Sequence, residues 1–199
     1  MSRDPALVLV TGFGPYFRTG ENPSAHIVAE LERAPPRGLE LLTTILPVTF
    51  AGVGPAWSDL VARRGMRRPD LLLGLGMHAG RSFRLERRAR GRLGSTSLDN
   101  AGVAGNGIIL ADGHERTNEA SWETLAAWLR DSGAEAIEVS DDAGGFVCEA
   151  SYHLLLGHAR ALGCAGLFLH VPDGSLVPAA TQTPVVRGFL ERWASARVL

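Results

Sequence analysis

The chain has 199 residues, 45% hydrophobic and 21% charged, a size and composition that suit one globular domain and leave little room for a second. Its 20 basic and 21 acidic residues nearly cancel, so no overall field favours nucleic acid or an anionic membrane. The two cysteines exclude a disulfide framework and fit a reducing cytoplasm; the opening Met1-Ser2-Arg3-Asp4-Pro5 lacks the apolar stretch of a secretory signal, and no segment is apolar over a bilayer's span.

No repeat or low-complexity linker divides the chain, so residues 1–199 are read as a single domain. The run Ala6-Leu7-Val8-Leu9-Val10 is apolar throughout rather than alternating, which predicts a buried parallel strand ending in the glycine-rich turn Thr11-Gly12-Phe13-Gly14-Pro15. Asn22 as N-cap and Pro23 at the first helical position open a helix to about Arg33. A second strand, Leu39 to Leu46, stops at Pro47; a helix from Gly54 to Arg64 and a buried strand from Leu71 to Leu75 follow. The alternation Phe83-Arg84-Leu85-Glu86-Arg87 predicts a strand with one charged face. Gly91 to Asn118, rich in Gly, Ser, Asp and Asn, reads as a long surface excursion with only Ile108-Ile109-Leu110 as a strand candidate. Next come an amphipathic helix, Glu119 to Arg130, and a short strand, Ala136 to Val139. Gly144-Gly145 leads into a helix from about Phe146 to Leu162, followed by a buried strand, Gly166 to Val171, and a closing helix, Gln182 to Arg197. Strands alternating with helices imply a three-layer α/β/α sandwich around a mostly parallel sheet. Sites in such folds gather at the carboxyl ends of the strands.

Cys148 falls in the first turn of the helix behind Gly144-Gly145, where free N–H groups and the positive end of the dipole favour a thiolate and can hold an oxyanion. That placement predicts a thiol titrating below about 8.5. On its own, a helix cysteine is more often a small core residue. His170 closes an otherwise apolar strand at the sheet edge where sites form, and needs a hydrogen-bond partner there. Glu86 reads either as half of a surface ion pair or as the acid that orients His170. The arginine run from Arg81 to Arg92 carries Glu86 in its middle and a single aromatic, so a solvated face or an oligomer contact is the reading preferred over RNA or phosphate binding. No His, Cys or acidic spacing matches a metal site, and Gly12-Phe13-Gly14 lacks the third glycine of a dinucleotide fingerprint. No metal and no cofactor is expected.

Taken in order, several segments resemble the pyroglutamyl peptidase I family, the pyrrolidone-carboxylate peptidases. They are Gly12-Phe13-Gly14-Pro15-Tyr16 with Asn22-Pro23-Ser24, Pro47-Val48-Thr49-Phe50, Gly80-Arg81, Glu86-Arg87 with Ala89, and Asp99-Asn100. To these are added the more specific Ala143-Gly144-Gly145-Phe146-Val147-Cys148 and Phe168-Leu169-His170-Val171-Pro172. The resemblance implies that Cys148 is the nucleophile, His170 the base and Glu86 the orienting acid. It also implies a cofactor-free, cytoplasmic homotetramer that removes N-terminal pyroglutamate from peptides. A flat neutral lactam calls for an apolar slot with a few hydrogen bonds, and Phe13, Tyr16, Phe146 and Val147 are its expected walls, with Met77 at the end of the third strand. Four positions depart from the family: Met77 replaces a glutamine, Gly91 and Glu149 replace asparagines, and Thr96 replaces the arginine of the segment Ala-Arg-Ile-Pro-Asp-Asn. Arg90 and Arg92 are the candidates to take over that arginine's role. Two rival readings are a divergent amidase acting on another lactam or acyl-amide, and a non-catalytic homologue that serves in binding or assembly.

Overall fold

The computed structural model describes residues 5–196; Met1 to Asp4, and Arg197 of the expected closing helix, lie outside them. Strand β1 (Ala6–Phe13) is buried at every residue, because β2 (Leu39–Leu46) and β3 (Leu71–Met77) flank it in parallel and helices cover both faces. It runs three residues further than expected, through Thr11, Gly12 and Phe13, in register with Thr44, Ile45 and Leu46. Gly12 therefore marks clearance, not a turn: a Cβ there would lie 2.6 Å from the Ser24 carbonyl oxygen of helix α1 (Pro23–Arg33). Asn22 caps α1 by accepting the Ser24 N–H, and Ser24 Oγ accepts the Phe13 N–H at 2.9 Å, tying the end of β1 to the start of the helix.

Helix α2 (Phe50–Arg63) starts four residues before the expected Gly54. Gly52, Gly54 and Pro55 weaken its first turns locally, but Thr49 caps it and the buried stripe Val53, Trp57, Leu60 holds it to the sheet. Trp57 is fully buried and donates its indole N–H to Ser151 Oγ at 2.9 Å. The remaining elements are β4 (Phe83–Glu86), the short ribbon of β5 (Arg88–Ala89) and β6 (Arg116–Thr117), α3 (Trp122–Asp131), β7 (Ile137–Ser140), α4 (Val147–Leu162), β8 (Ala165–Val171) and α5 (Ala179–Ala196). Among the described residues the main sheet runs β2-β1-β3-β8-β4-β7, parallel throughout except where β4 meets β8. One apolar core packs α1, α3 and α5 on one face; a second packs α2 and α4 on the other. The fold is the three-layer α/β/α sandwich expected.

The excursion differs from expectation. Ile108-Ile109-Leu110 forms no strand; Ile109 makes a single bridge with Arg92. Polar bonds hold the segment in place. Buried Asp99 accepts the N–H groups of Phe50, Ala101 and Val103 at 2.8–2.9 Å, and the Leu110 N–H reaches the Gly91 carbonyl at 2.8 Å. Gly91 has no room for a side chain, since a Cβ would lie 2.5 Å from the His114 carbonyl oxygen and closer still to that of Gly113. Gly91→Ala is expected to cost about 3 kcal/mol or more, seen as a melting temperature lower by roughly 6–12 °C; an unchanged melting curve overturns the steric argument.

Candidate active site

Three chain segments bring the site together at one end of the sheet. Because β4 runs antiparallel to β8, Glu86 lies opposite Phe168 and Arg84 opposite His170. With β7 on its other side, β4 is an interior strand, and Glu86 is fully buried. The surface ion-pair reading of Glu86, and with it the charged strand face, gives way to this placement. The His170 Nδ1–H donates to Glu86 Oε1 at 2.7 Å, which leaves Nε2 as the free nitrogen of the ring. Tyr152 supports the same strand end by donating its hydroxyl to the Glu86 carbonyl at 2.7 Å.

Cys148 is the second residue of α4 and is half-buried. A Cβ placed on Gly76 of β3 would stand 3.1 Å from Cys148 Sγ and 3.0 Å from His170 Cδ2, so sulfur and imidazole share the space above that glycine. Phe146 is the N-cap and no side chain caps the helix, so the first-turn N–H groups lack intrahelical acceptors. The thiol does not follow the expected direction. Burial, and then the carboxylates of Glu86 and Glu149, push it up to about 12. Near neutral pH Cys148 is thus a neutral thiol. Alkylation of the free protein by iodoacetamide is expected to be slow near neutral pH and to keep rising about tenfold per pH unit beyond pH 9; a rate that levels off below pH 8 contradicts it.

Of the expected slot residues, Tyr16 and Phe146 are brought together, with ring centroids 5.6 Å apart. Phe50, passed over as a site residue in the sequence, meets Phe146 edge-on at 5.4 Å. Its signal was its place at the start of the motif-bearing helix. Phe13 and Val147 are buried in the core under α2 and α4, so they support the slot from behind and have no free surface to offer. Met77 is half-buried at the end of β3, beside Val171. The excursion is bound to the loop after β1: the Tyr16 hydroxyl donates to the Leu98 carbonyl at 2.7 Å, while Asn100 donates to the Pro15 carbonyl and accepts the Phe17 N–H. His78 lies beyond His170, its ring centroid 6.2 Å away and its Nε2 2.6 Å from the Ser82 carbonyl oxygen.

Four of the six arginines of the run are ion-paired, while Arg81 and Arg92 are exposed. Arg84 approaches Glu86 and Glu138, Arg87 pairs with Asp141, Arg88 with Glu115, and Arg90 with Asp142 and Glu149. Arg90 is thus held between Asp142 and Glu149, while Arg92 and Thr96 are exposed. No group of three His, Cys, Asp or Glu suited to a metal occurs among the described residues, and none of their helices is long and apolar enough to cross a membrane. A surface groove of about 1430 Å³ lies at the start of β8 and the end of α4, and neither Cys148 nor His170 lines it.

An α/β fold with a cysteine at a helix start beside a histidine bonded to a buried carboxylate is the frame of a thiol hydrolase. A sequence profile of the pyroglutamyl peptidase family matches residues 6–183. Pyrrolidone-carboxylate peptidase 1 of Saccharolobus solfataricus is 31% identical over 168 residues, covering 83% of this chain and 78% of that protein. The pyrrolidone-carboxylate peptidase of Klebsiella pneumoniae is 32% identical over 173 residues, covering 83% and 77%. The crystal structure of the pyrrolidone carboxyl peptidase of Fervidobacterium islandicum superposes with a TM-score of 0.82 at 28% identity, covering 96% of this chain and 99% of that one. The chain belongs to the pyroglutamyl peptidase family.

Proposed function

We propose that this chain is a cysteine exopeptidase that hydrolyses the amide bond after an N-terminal pyroglutamyl residue. The family match over residues 6–183 carries the substrate class. The buried His170–Glu86 bond beside Cys148 supports the roles of base, orienting acid and nucleophile.

The raised thiol sets the order of proton transfers. As Cys148 Sγ attacks the pyroglutamyl carbonyl, its proton passes to His170 Nε2, and Glu86 stabilises the imidazolium that forms. The N–H groups of the α4 first turn face the oxyanion. His170 returns the proton to the departing nitrogen as the C–N bond breaks, releasing the shortened peptide and leaving a thioester. Water then attacks, giving its proton to His170; the C–S bond breaks, Cys148 regains its proton and pyroglutamate leaves. Tyr16, Phe50 and Phe146 form the apolar slot for the lactam, with Met77 at its margin and Phe13 and Val147 behind it.

The test compares a pyroglutamyl-aryl amide with a prolyl-aryl amide, with and without a thiol alkylator. Release from the first alone, abolished by alkylation, is expected; equal turnover of both substrates sinks the lactam assignment. The same reading extends to a cytoplasmic homotetramer, which light scattering on the purified protein checks.

A further inference from the structure

Glu149 follows Cys148 in the first turn of α4 and is fully buried, yet it is not idle. Its Oε2 accepts the Gly145 N–H at 2.6 Å and its Oε1 the Arg90 N–H at 2.7 Å. The Arg90 guanidinium closes on both oxygens at 3.0–3.2 Å and also pairs with Asp142, ahead of the helix. A buried carboxylate with this many donors is stable only while they stay in place. The residue it grips belongs to a tight turn ahead of the helix. Gly144 and Gly145 both have left-handed backbone (φ 95° and 63°), which glycine can leave easily. The Gly145 carbonyl in turn accepts the Ser95 N–H at 3.1 Å, so the same residue anchors the excursion that carries Leu98 against Tyr16.

We propose that Glu149, clamped by Arg90, is a positioning residue for the acyl transfer: it fixes the Gly144-Gly145 turn, and with it the Phe146 wall and the first-turn N–H groups, and sets the charge that Cys148 faces. The positioning part rests on the acyl-transfer reading above. The groups facing Cys148 are His170 from β8, with His78 beyond it, and Glu86 from β4, with Arg84 beside it. Glu149 is the carboxylate on the same helix, faced by Arg90 after β5 and Asp142 before α4. Removing its charge favours the thiolate.

Two variants separate charge from hydrogen bonding. Glu149→Gln keeps an oxygen for the Gly145 N–H but loses the charge and turns its NH₂ toward Arg90, and Glu149→Ala keeps neither oxygen. Each is measured for iodoacetamide alkylation across pH, for kcat and KM on the pyroglutamyl-aryl amide, and for melting temperature. Glu149→Gln is expected to alkylate about three- to tenfold faster than the parent near pH 8, and to lose less kcat than Glu149→Ala because one oxygen remains for the Gly145 N–H. Glu149→Ala is expected to lose about 10- to 100-fold in kcat, and less in KM, as the N–H groups drift from the carbonyl. An unshifted alkylation profile in Glu149→Gln, or parental kcat in a folded Glu149→Ala, overturns the proposal. If the alanine variant does not fold, the glutamine variant still decides through its alkylation profile. If the parent turns over no pyroglutamyl amide, the substrate reading fails, while the alkylation arm still tests the charge at Cys148.

Discussion

Cys148→Ser is expected to lower kcat on a pyroglutamyl-aryl amide by about 10⁴-fold or more, with the melting temperature little changed. The substitution swaps one atom at a half-buried position in the first turn of α4, so packing is nearly preserved. The chemistry is not. Burial and two carboxylates already hold the thiol up to about 12, and a hydroxyl in the same place is a still weaker acid. His170 offers one free nitrogen, and its other is bound to Glu86. That base suits a thiol at its reach; the shorter C–O bond draws the serine oxygen back from it. Turnover within about tenfold of the parent would show that the amide is cleaved without a nucleophilic sulfur.

Much of the fold was legible because it follows from continuous local patterns. Ala6 to Val10 and Leu71 to Leu75 are apolar runs that lie in buried strands, and Leu39 to Leu46, stopped by Pro47, is the edge strand β2. Asn22-Pro23 announced α1 by capping chemistry alone. The errors fall where glycine has two physical meanings. Gly12 was read as a turn but clears a path for the backbone of α1, and Gly76 makes room for the sulfur and the imidazole. Gly52 spoke against the first turn of α2, which the Thr49 cap nonetheless holds four residues before the expected start.

The site was legible as a set of residues but not as an electrostatic environment. The strand ending in His170 and the helix behind Gly144-Gly145 marked two members locally. Glu86 was ambiguous because alternation cannot tell a rim strand from one pinned between β8 and β7, and only that pairing buries it. The direction of the Cys148 thiol failed for the same reason. The helix start is a local feature, whereas burial and Glu86 come from distant segments. The excursion's order was hidden because Asp99, Asn100 and Gly91 hold it through backbone contacts with no apolar pattern.

Glu86→Gln is expected to reduce kcat by about 10³- to 10⁴-fold while leaving KM near that of the parent. Two outcomes are open to the amide, and both are costly. If its carbonyl oxygen accepts the His170 Nδ1–H, the ring keeps its orientation, but the imidazolium formed during attack loses its anionic partner in a buried site. If its NH₂ faces Nδ1 instead, the ring must carry its proton on Nε2 and cannot accept one from Cys148. Glu86 Oε2 has no hydrogen-bond partner among the described residues, so an amide NH₂ in its place finds no acceptor there. Alkylation moves the other way. Cys148 loses an anionic neighbour, and its reaction with iodoacetamide speeds up even as turnover collapses. That divergence separates an orienting acid from a clamp: Glu149→Gln also speeds alkylation but loses far less kcat than Glu86→Gln. A Glu86→Gln variant that retains kcat within about tenfold sinks the assignment of Glu86, and leaves His170 to act without it.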